Sequence, residues 1–532
     1  MKQQTILKIR IKPYLLTLIF CVFGINVWAQ QKEISGTVTS TDDGLPIPGV
    51  SVIVEGTTRG TTTDFDGNYM IEAEATENLS FSYIGFETKT VAVGNQNEIN
   101  ISLEVSTAEL DEIVVVGYGT QRKKVSTAAT SMVESDDLIQ TASIDATSAL
   151  QGQTSGVNIT STSGQPGANM TVNIRGVGTA GNNSPLYVVD GVVVENGIGY
   201  LDPSVIERVD ILKDASAASI YGARAANGVI LVTTKKGKKG VTSVSVNSYI
   251  GFQEVARTLD LLNSREYGII MNEARVNSGY APLYSQQELE NLPNTDWQDE
   301  LTRTAITNDV NFSMSGGTSQ TSYFASLGAR DQEGILNNSN LKRYSGRVNV
   351  TQKGLNDRLK VDVNLSATRT ENERPDIQTM VSNMLSLNPT TPAYTDGEPT
   401  IFGTGINPLI IEDIYGDYAF NNRMIANISP SLEIIDGLTY KLNLGVDYSK
   451  TDRDEQLIPY SADPDYAEGS IRSSFTTNRN TLVENTLNYE TAFGDHDLGL
   501  LAGHSYQKFY VHNKSFYFTN FPDNGIEPRY QL

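Results

Sequence analysis

The feature that most constrains the fold is a series of long alternating strands that begins at Val241. Between Leu438 and Tyr448, apolar or aromatic residues take every second position, opposite polar residues such as Lys441 and Asn443. About nine such segments follow one another, each about 10 to 15 residues long, whereas soluble strands usually have about five or six. For residues 238–532 we therefore predict an antiparallel sheet with one apolar and one polar face.

The connections between these segments alternate in length. Tight turns are predicted at GGTS, KGLND, IDG and FGDH, and longer connections at about 257–306, 334–341, 372–420 and 452–477. This asymmetry is typical of outer-membrane β-barrels, which have short periplasmic turns and long external loops. A soluble sandwich also alternates apolar and polar residues, but it explains neither the strand length nor the loop asymmetry.

The first 29 residues are predicted to be a secretory signal. Four basic residues precede an apolar run at 14–25 that is too short to span a bilayer. Small residues at Val27 and Ala29 predict cleavage after Ala29. Cys21, the single cysteine of the sequence, leaves with this segment, which excludes disulfide and thiolate chemistry in the mature chain.

The charge balance excludes one class of partner. The chain carries 62 acidic against 40 basic residues and a net charge of -22, and loss of the four basic residues of the signal brings -22 to -26. Nucleic-acid binding requires a concentrated basic surface, so we expect no nucleic-acid partner.

Residues 30–104 are predicted to form a small all-β sandwich. Alternating or β-branched runs are separated at regular spacing by turn clusters such as 41–44 and 46–49. In the stretch TDFDGNY, Asp64 and Asp66 precede a glycine, but a third ligand of a calcium loop is missing. We interpret this stretch as a hairpin turn.

The linker 105–124 contains four consecutive β-branched residues, Ile113 to Val116, after the acidic pair Asp111 and Glu112. A short extended segment of this kind can add to the edge of another protein's sheet. The same residues can equally form the last strand of the sandwich, and the residue pattern leaves both interpretations open.

Residues 125–237 alternate strands with short helices, which predicts an α+β domain. Val209–Leu212 and Val229–Thr234 are predicted strands, Asp214 is a predicted helix N-cap, and Gly222 is the predicted end of that helix.

Two charged residues of this domain each precede a glycine: Arg175 before Gly176, and Asp190 before Gly191. We expect Arg175 and Asp190 to form a buried pair inside the domain. A structural role for this pair is favoured over a role in substrate binding.

A formal GxGxxG at Gly176, Gly178 and Gly181 is followed by NNSPLYVVD, a turn and a strand. A dinucleotide site requires a helix at that point, so we interpret the match as a glycine loop.

The three histidines, His496, His504 and His512, have even spacing and would share one strand face, but we expect a turn or bend between them. The sequence contains no HExxH, no GxSxG and no cysteine nucleophile. We therefore predict no catalytic residue, no metal site and no cofactor.

Four motifs stand in a fixed order in the first 240 residues: LDEIVVVGYGTQ, DATSALQGQTSGVNITSTSGQPG, VNIRGVGTAGNNSPLYVVDGVVV and LDPSVIERVDILKDASAASIYGARAANGVILVTTKKG. Together they resemble the SusC/RagA family of TonB-linked outer-membrane proteins. The segment ISGTVTSTDDGLPIPGVSVIVEGTTRGTTTDFDGNYMI with LSFSYIGFET resembles the carboxypeptidase-regulatory-like domain. That second resemblance implies an immunoglobulin-like accessory domain.

The SusC/RagA resemblance implies a plug domain at 125–237 inside the lumen of a barrel that is embedded in outer-membrane lipid. It also implies two protein partners, periplasmic TonB and a SusD-like surface lipoprotein, and a cargo of oligosaccharides or, in some members, oligopeptides. The TonB-binding box matches these residues: Asp111, Glu112, Ile113, Val114, Val115 and Val116.

The resemblance leaves two questions open. Plugged transporters have 22 strands, whereas about nine fit here, so we expect the sequence to be the N-terminal part of a longer receptor. A siderophore or cobalamin is an alternative cargo, and a soluble periplasmic adhesion or signalling protein built from β-modules is an alternative class.

Overall fold

The computed structural model describes residues 32–55, 57, 59–83, 86–104, 113–116, 119–122, 129–140, 145–214, 218–402, 405–494 and 496–531. The predicted signal segment with Cys21, and the acidic residues Asp111 and Glu112, lie outside these residues. The chain divides into two compact units, and the division falls in the predicted linker.

Seven strands form the sandwich of the first unit: β1 (Lys32–Ser40), β2 (Ser51–Val54), β3 (Gly60–Thr62), β4 (Asn68–Ala73), β5 (Asn78–Ser82), β6 (Lys89–Ala92) and β7 (Ile101–Leu103). One sheet has the order β4-β1-β7 and the other the order β3-β2-β5-β6. Buried and less buried side chains alternate along β1 and β4, because one face of each strand lies on the core between the sheets. The predicted small sandwich is confirmed.

The core of the sandwich is built around Phe81, which is fully buried. The rings of Phe81 and Tyr69 meet edge to face at 5.2 Å between centroids. The Tyr69 hydroxyl donates a hydrogen bond of 2.8 Å to the carbonyl oxygen of Ile99, and burial raises the pKa of Tyr69 to about 12. This buried polar group therefore has a partner, as a stable core requires.

Strand β1 passes very close to the chain before β7. A Cβ atom added at Gly36 would lie 2.0 Å from the carbonyl oxygen of Ile99, so the backbone itself fills the space of a side chain. We expect Gly36→Ala to lower the free energy of unfolding of the sandwich by about 3 kcal/mol, as for an overpacked core. Calorimetry of the detergent-solubilised protein measures this. Gly164→Ala, whose Cβ meets open space, is the control and leaves the transition unchanged.

The stretch TDFDGNY forms a turn before β4. The Asp64 carboxylate accepts hydrogen bonds from the N–H groups of Asp66 at 3.0 Å and Asn68 at 2.8 Å, and Gly67 has a φ of 73°. Within the described part of the chain, no group of three or more histidine, cysteine, aspartate or glutamate residues is arranged to hold a metal ion. The predicted turn is present, but the predicted hairpin was wrong, because the turn joins β3 of one sheet to β4 of the other.

Nine short strands occupy the linker and the plug region: β8 (Ile113–Val116), β9 (Gly119–Arg122), β10 (Thr130–Glu134), β11 (Val157–Ser161), β12 (Met170–Ile174), β13 (Leu186–Val189), β14 (Val192–Val194), β15 (Ile206–Leu212) and β16 (Val229–Thr234). A five-stranded sheet has the order β10-β15-β16-β13-β14, in which only β13 and β16 run parallel. Strands β11 and β12 form a separate hairpin. Short helices lie at Ser135–Gln140 and Ala146–Ala149.

The predicted strand Val229–Thr234 has the observed bounds, and Val209–Leu212 lies within β15. The helix predicted after Asp214 agrees with its first described residue: Ala218 is helical, and its N–H donates a 3.0 Å bond to the carbonyl oxygen of Asp214, while residues 215–217 lie outside the described residues. Two single 3₁₀ turns, Ser219–Tyr221 and Ala223–Ala225, stand there, and Gly222 separates them with a φ of 72°. A glycine in the left-handed region inside this small-residue run prevents one continuous helix.

Nine long strands form one antiparallel sheet: β17 (Gly240–Gln253), β18 (Ala305–Gly317), β19 (Thr321–Glu333), β20 (Asn340–Gly354), β21 (Leu359–Arg374), β24 (Tyr415–Ile435), β25 (Leu438–Leu457), β26 (Gly469–Phe493) and β27 (His496–Phe521). Two short strands, β22 (Tyr394–Thr395) and β23 (Glu398–Pro399), pair in a loop. The predicted antiparallel sheet with about nine alternating segments is confirmed.

Four of these strands are longer than predicted: β24, β25, β26 and β27 have 21, 20, 25 and 26 residues. The connection predicted at 452–477 is therefore only 458–468. The end of β25 reads SKTDRDEQL, which is polar on both faces, so apolar alternation cannot reveal it. A strand that extends beyond the apolar layer of a membrane has water on both faces and loses the period-2 signal.

The long connections contain their own helices: Ser264–Asn277, Gln286–Leu289, Trp297–Glu300, Ile377–Ser386 and Pro408–Ile414. Their buried side chains form a hydrophobic cluster that includes Trp297, Leu301, Met380 and Leu409. None of the helices in the described ranges is long and apolar enough to cross a membrane.

Candidate functional site

The apolar part of the predicted TonB box is an extended strand. Ile113–Val116 forms β8, which pairs with β9 in a two-stranded sheet. The alternative interpretation, a last strand of the sandwich, was wrong, since β8 joins neither of the two sandwich sheets. A strand in a two-stranded sheet has one edge without a neighbouring strand, and that edge can accept a further strand.

The expected pair of Arg175 and Asp190 is not formed. The Arg175 guanidinium, which is 55% exposed, lies 2.5 Å from a carboxylate oxygen of Asp214. The other Asp214 oxygen accepts a 2.6 Å hydrogen bond from the N–H of Ala129, and this bond, followed by that from Arg175, lowers the pKa of Asp214. The Asp214 side chain thus holds the chain just before β10.

Asp190 pairs with a residue of the long strands. With Gly191 it forms a turn between β13 and β14, with φ angles of 48° and 84°, which is the aspartate-glycine signature of a tight hairpin. Its carboxylate accepts a 2.8 Å bond from Arg347 of β20, and 3.0 and 2.7 Å bonds from the N–H and hydroxyl of Thr234. The side chains of Asp190 and Arg347 are 6% and 5% exposed, so this ion pair is buried.

The plug segment at residues 190–202, which we name the anchor segment, receives hydrogen bonds from five of the long strands. Besides Arg347, four side chains of these strands donate hydrogen bonds to backbone carbonyl oxygens of the segment. They are Asn443 to Gly191 at 2.9 Å, Asn480 to Val193 at 2.7 Å, Arg423 to Glu195 at 3.0 Å and Arg343 to Gly199 at 2.7 Å. Arg330 adds a 3.2 Å bond to the carboxylate of Asp202.

Arg423 has the most contacts of these donors. It donates to both carboxylate oxygens of Asp447, at 2.9 and 2.7 Å, as well as to Glu195, and its guanidinium lies 4.2 Å from the centre of the Tyr200 ring. Burial raises the pKa of Tyr200 to about 12. The anchor segment is therefore held by charge-assisted bonds away from water, where such bonds are strong.

A cavity of about 440 Å³ lies between the plug and the long strands, and Asp202 of the anchor segment and its partner Arg330 contribute to its lining. Helix Ser135–Gln140 and the turn Pro203–Val205 line it on the plug side, and β17 and β18 line it on the sheet side. Ser204 and Thr307 also line it, and their hydroxyl oxygens are buried and have no hydrogen-bond partner among the described residues. Its walls combine apolar side chains, such as Leu138 and Val246, with charged ones, such as Asp309 and Arg330.

The sheet face that bears Arg423 continues beyond the plug toward the long loops. On this face Asn421 donates a 2.7 Å bond to Thr451, and Arg453 donates 2.7 and 2.9 Å bonds to the two carboxylate oxygens of Asp417. By register, the same face also carries the half-buried Ser474 and Thr476, and, at buried positions, Thr368 and Thr370. This surface offers many hydroxyl and amide groups as donors and acceptors.

In the long loops, helix Pro408–Ile414 is tied to the connection between β19 and β20. Asn337 donates 3.1 and 3.3 Å bonds to the Glu412 carboxylate, and Asn338 donates to the Glu412 carbonyl oxygen at 2.6 Å. Burial raises the pKa of Glu412 to about 7, and Asp413 adds to the rise while Arg303 opposes it.

This raised pKa predicts a pH-dependent loop. At pH values between about 4.5 and 7, the folded loop keeps the proton that the unfolded chain releases, so the stability contribution falls as pH rises through about 7. We expect proteolysis of the loops to accelerate from about pH 5 to about pH 8, and Glu412→Gln to remove that acceleration. Glu290→Gln, at an exposed glutamate of the same loops, is the control that keeps the acceleration.

The three histidines all lie on β27, and the expected turn or bend between them was wrong. At about 3.3 Å per residue, His496 and His504 are about 26 Å apart along the strand. This distance is too long for the histidine side chains to bind one metal ion together. Apolar and aromatic residues at alternate positions between the histidines, such as Leu498, Leu500, Tyr506 and Tyr510, are typical of one continuous strand.

Sequence reasoning missed the wall residues that hold the plug. Arg330, Arg343, Arg347 and Arg423 occupy the polar face of their strands, where any polar residue satisfies the alternation. An available signal was the use of arginine where serine, threonine or asparagine predominate. This signal does not identify the partners, which lie more than a hundred residues away in sequence, as Asp190 does from Arg347 at a separation of 157.

Two domain families match the chain. The CarboxypepD_reg-like domain matches residues 34–115, and the TonB-dependent receptor plug domain matches residues 122–229. The TonB-dependent receptor P3 of Formosa agariphila is 37% identical over 514 residues, which are 92% of this chain and 49% of that protein. The TonB-dependent receptor SusC of Bacteroides thetaiotaomicron is 31% identical over 93% of this chain and 52% of that protein.

Among solved structures, the RagAB peptide importer in an open-open state superposes with a TM-score of 0.71 at 27% identity, over 78% of this chain and 51% of that chain. The chain thus spans about half the length of the curated relatives it matches. These homologues are outer-membrane transport receptors and not enzymes. From the signature domains and the relatives together, the chain is a homologue of the SusC-like TonB-dependent receptors.

Proposed function

We propose that the protein is a TonB-dependent outer-membrane receptor that imports oligosaccharides, with TonB as its periplasmic partner and a SusD-like lipoprotein as its partner at the cell surface. The observation that carries this proposal is a plug domain bonded by the anchor segment to the polar face of a nine-stranded sheet. A plug in this position closes a lumen, and transport then requires that part of it moves.

The box residues Asp111, Glu112, Ile113, Val114, Val115 and Val116 are the proposed contact with TonB. The supporting feature is the extended backbone of β8, which has one edge open to a further strand. Each main-chain hydrogen bond added there contributes about 1 kcal/mol, so a four-residue strand supports a reversible contact.

The proposed cargo is hydroxyl-rich. The sheet face beyond the plug presents serine, threonine and asparagine side chains, which bond to sugar hydroxyl groups as both donors and acceptors. An oligopeptide is the second candidate cargo, because the related RagAB structure is described as a peptide importer.

The proposed position of a SusD-like lipoprotein is over the long loops. These loops have a buried cluster of their own and also expose apolar side chains, among them Leu259, Leu262, Ile270 and Tyr280. Exposed apolar side chains concentrated in one region are typical of protein-protein contact sites.

Uptake by intact cells tests the proposed function. Cells with and without the gene receive labelled oligosaccharides, oligopeptides and a ferric siderophore in parallel. The proposal requires gene-dependent uptake of oligosaccharides, and gene-dependent uptake of peptide or siderophore alone would refute the proposed cargo. Heat-modifiable migration in the outer-membrane fraction supports the receptor, whereas a soluble periplasmic protein would refute it.

A further inference from the structure

The long strands have a second face, which points away from the plug. Asn443 of β25 donates to the plug carbonyl of Gly191, so the even-numbered residues of this strand lie on the opposite face. That face carries a band of apolar and aromatic residues: Tyr440, Leu442, Leu444, Val446 and Tyr448. The register places Ile428 and Val483 of the neighbouring strands beside Leu444. In an outer-membrane receptor, a band of this kind faces the lipid hydrocarbon.

On five of the long strands, an exposed basic residue follows this band on the side of the long connections. On three strands it is a lysine two residues beyond a tyrosine of the band, so that both side chains share one face. The arginines of the other two strands face such a tyrosine: Arg369 faces Tyr344, and Arg479 faces Tyr448. We name these five residues the basic belt; they are Lys342, Arg369, Lys450, Arg479 and Lys508.

The residues of the basic belt differ in their ion pairs. Three of them have a carboxylate partner, in the pairs Lys342–Asp331 at 3.6 Å, Arg369–Glu371 at 2.7 Å and Lys450–Asp452 at 2.7 Å. For Arg479 and Lys508, no carboxylate of the described part of the chain lies within ion-pair distance. The guanidinium of Arg479 instead lies 5.2 Å from the centre of the Tyr510 ring. At these two residues, positive charge is left for a ligand outside the described residues.

Arg479 and Lys508 are diagonal neighbours on adjacent strands. Arg479 faces Tyr510, and Lys508 faces Thr481, two residues farther along each strand. Diagonal neighbours on one face of a sheet lie about 7 to 8 Å apart, within reach of long side chains. Like charges at this separation repel each other unless an anion lies between them. A phosphate group suits this position, because arginine binds it through two parallel N–H groups and lysine binds it as a point charge.

The level of these two cations along the strands matches that of lipid headgroups. Tyrosines at the end of an apolar band lie at the membrane interface, and Tyr448 and Tyr506 have such positions. Lys508 is two residues beyond Tyr506, which is about 7 Å along the strand. The polar layer on each side of the hydrocarbon is about 5 to 7 Å thick, so Lys508 lies within it.

We propose that Arg479 and Lys508 form a binding site for a phosphate group of the outer-leaflet lipid, whose acyl chains lie on the apolar band below. The chain as a whole has a net charge of -22, which repels an anionic lipid. Concentration of cations in the basic belt supplies attraction at the one level where lipid phosphates lie. The site depends neither on the cargo nor on TonB, so this inference goes beyond the proposed function.

Binding of labelled lipopolysaccharide to the purified receptor in detergent tests the proposal. The test variant is Arg479→Gln with Lys508→Gln. The matched control, Arg265→Gln with Lys353→Gln, removes the same charges at exposed positions outside the basic belt. We expect the dissociation constant to rise about thirty-fold in the test variant, because each cation at a lipid surface contributes about a factor of five. The control leaves the dissociation constant unchanged.

A charge-preserving variant separates binding from folding. Arg479→Lys with Lys508→Arg keeps both cations, so its dissociation constant stays close to that of the parent protein. Heat-modifiable migration verifies that each variant is assembled. Weak binding in an assembled charge-preserving variant, to the same degree as in the test variant, would show that the charges are not the cause and would overturn the proposal.

Two further ligands identify the bound group. Lipopolysaccharide without its phosphates is expected to bind equally weakly to the parent protein and to the test variant. Inorganic phosphate alone is expected to show no saturable binding in calorimetry at millimolar concentration, because exposed ion pairs are weak by themselves. Saturable binding of inorganic phosphate would identify a soluble ligand and overturn the lipid assignment. Equal affinity of parent and test variant for intact lipopolysaccharide, or an equal loss with both forms of the lipid, would overturn the proposal as a whole.

Discussion

Proline at both Val114 and Val115 is expected to abolish uptake while the receptor still assembles in the outer membrane. Proline has no N–H group and cannot donate to a ladder, so the two substitutions remove the donors of half of the strand β8. With each lost bond worth about 1 kcal/mol, and with the backbone bent away from its partner, the TonB contact becomes too weak to transmit force. Uptake of the labelled cargo by intact cells measures the effect.

The matched control is isoleucine at the same two positions. Isoleucine keeps the N–H groups and the β-branched shape, so it leaves uptake at the parental level. Heat-modifiable migration shows whether the proline variant reaches the membrane as a folded protein. Unchanged uptake in an assembled proline variant would mean that this segment is not the contact with TonB.

Removal of Arg347 is expected to give the second large effect. Arg347→Met leaves the carboxylate of Asp190 buried without its cation, and loss of one partner of a buried ion pair costs about 3 to 5 kcal/mol. We expect the anchor segment to detach, so that the plug becomes accessible to protease and the membrane becomes permeable to large antibiotics. Limited proteolysis and antibiotic sensitivity measure both changes.

Two further variants show whether the buried charge is the cause. Arg347→Met with Asp190→Asn removes both charges and should recover much of the protease resistance, since no unpaired charge then stays buried. Arg369→Met breaks an exposed pair with Glu371 on β21 and should change little, because exposed pairs contribute about 0 to 1 kcal/mol. If the double variant is as sensitive as Arg347→Met, the ion pair does not hold the plug.

Much of the fold follows from local sequence patterns. The strands of the sandwich, the strand Val229–Thr234 and the nine long strands all have a period-2 or β-branched signal, because one face of each meets an apolar environment. The aspartate-glycine turn at Asp190 and Gly191 is also a local signal, since it depends only on φ angles that these residues accept.

The errors arise where the local signal is weak. The polar ends of β24 to β27 lie beyond an apolar environment, and their pairing depends on hydrogen bonds to neighbours that are distant in sequence. The run after Asp214 favours a helix by its alanine content, but beyond Ala218 it forms two single 3₁₀ turns on either side of Gly222. Tertiary contacts override propensity at such places.

The sequence by itself determined the order of the regions, the strand character of the box residues Ile113–Val116 and the two-faced nature of the long strands, since each is a property of neighbouring residues. Only the tertiary structure decided that Asp190 pairs with Arg347, that Arg175 pairs with Asp214, and that asparagines of β25 and β26 hold the plug backbone. The physical reason is that a buried charge or carbonyl requires some partner, but the partner is selected by which surfaces the folded sheets bring within about 3 Å of each other.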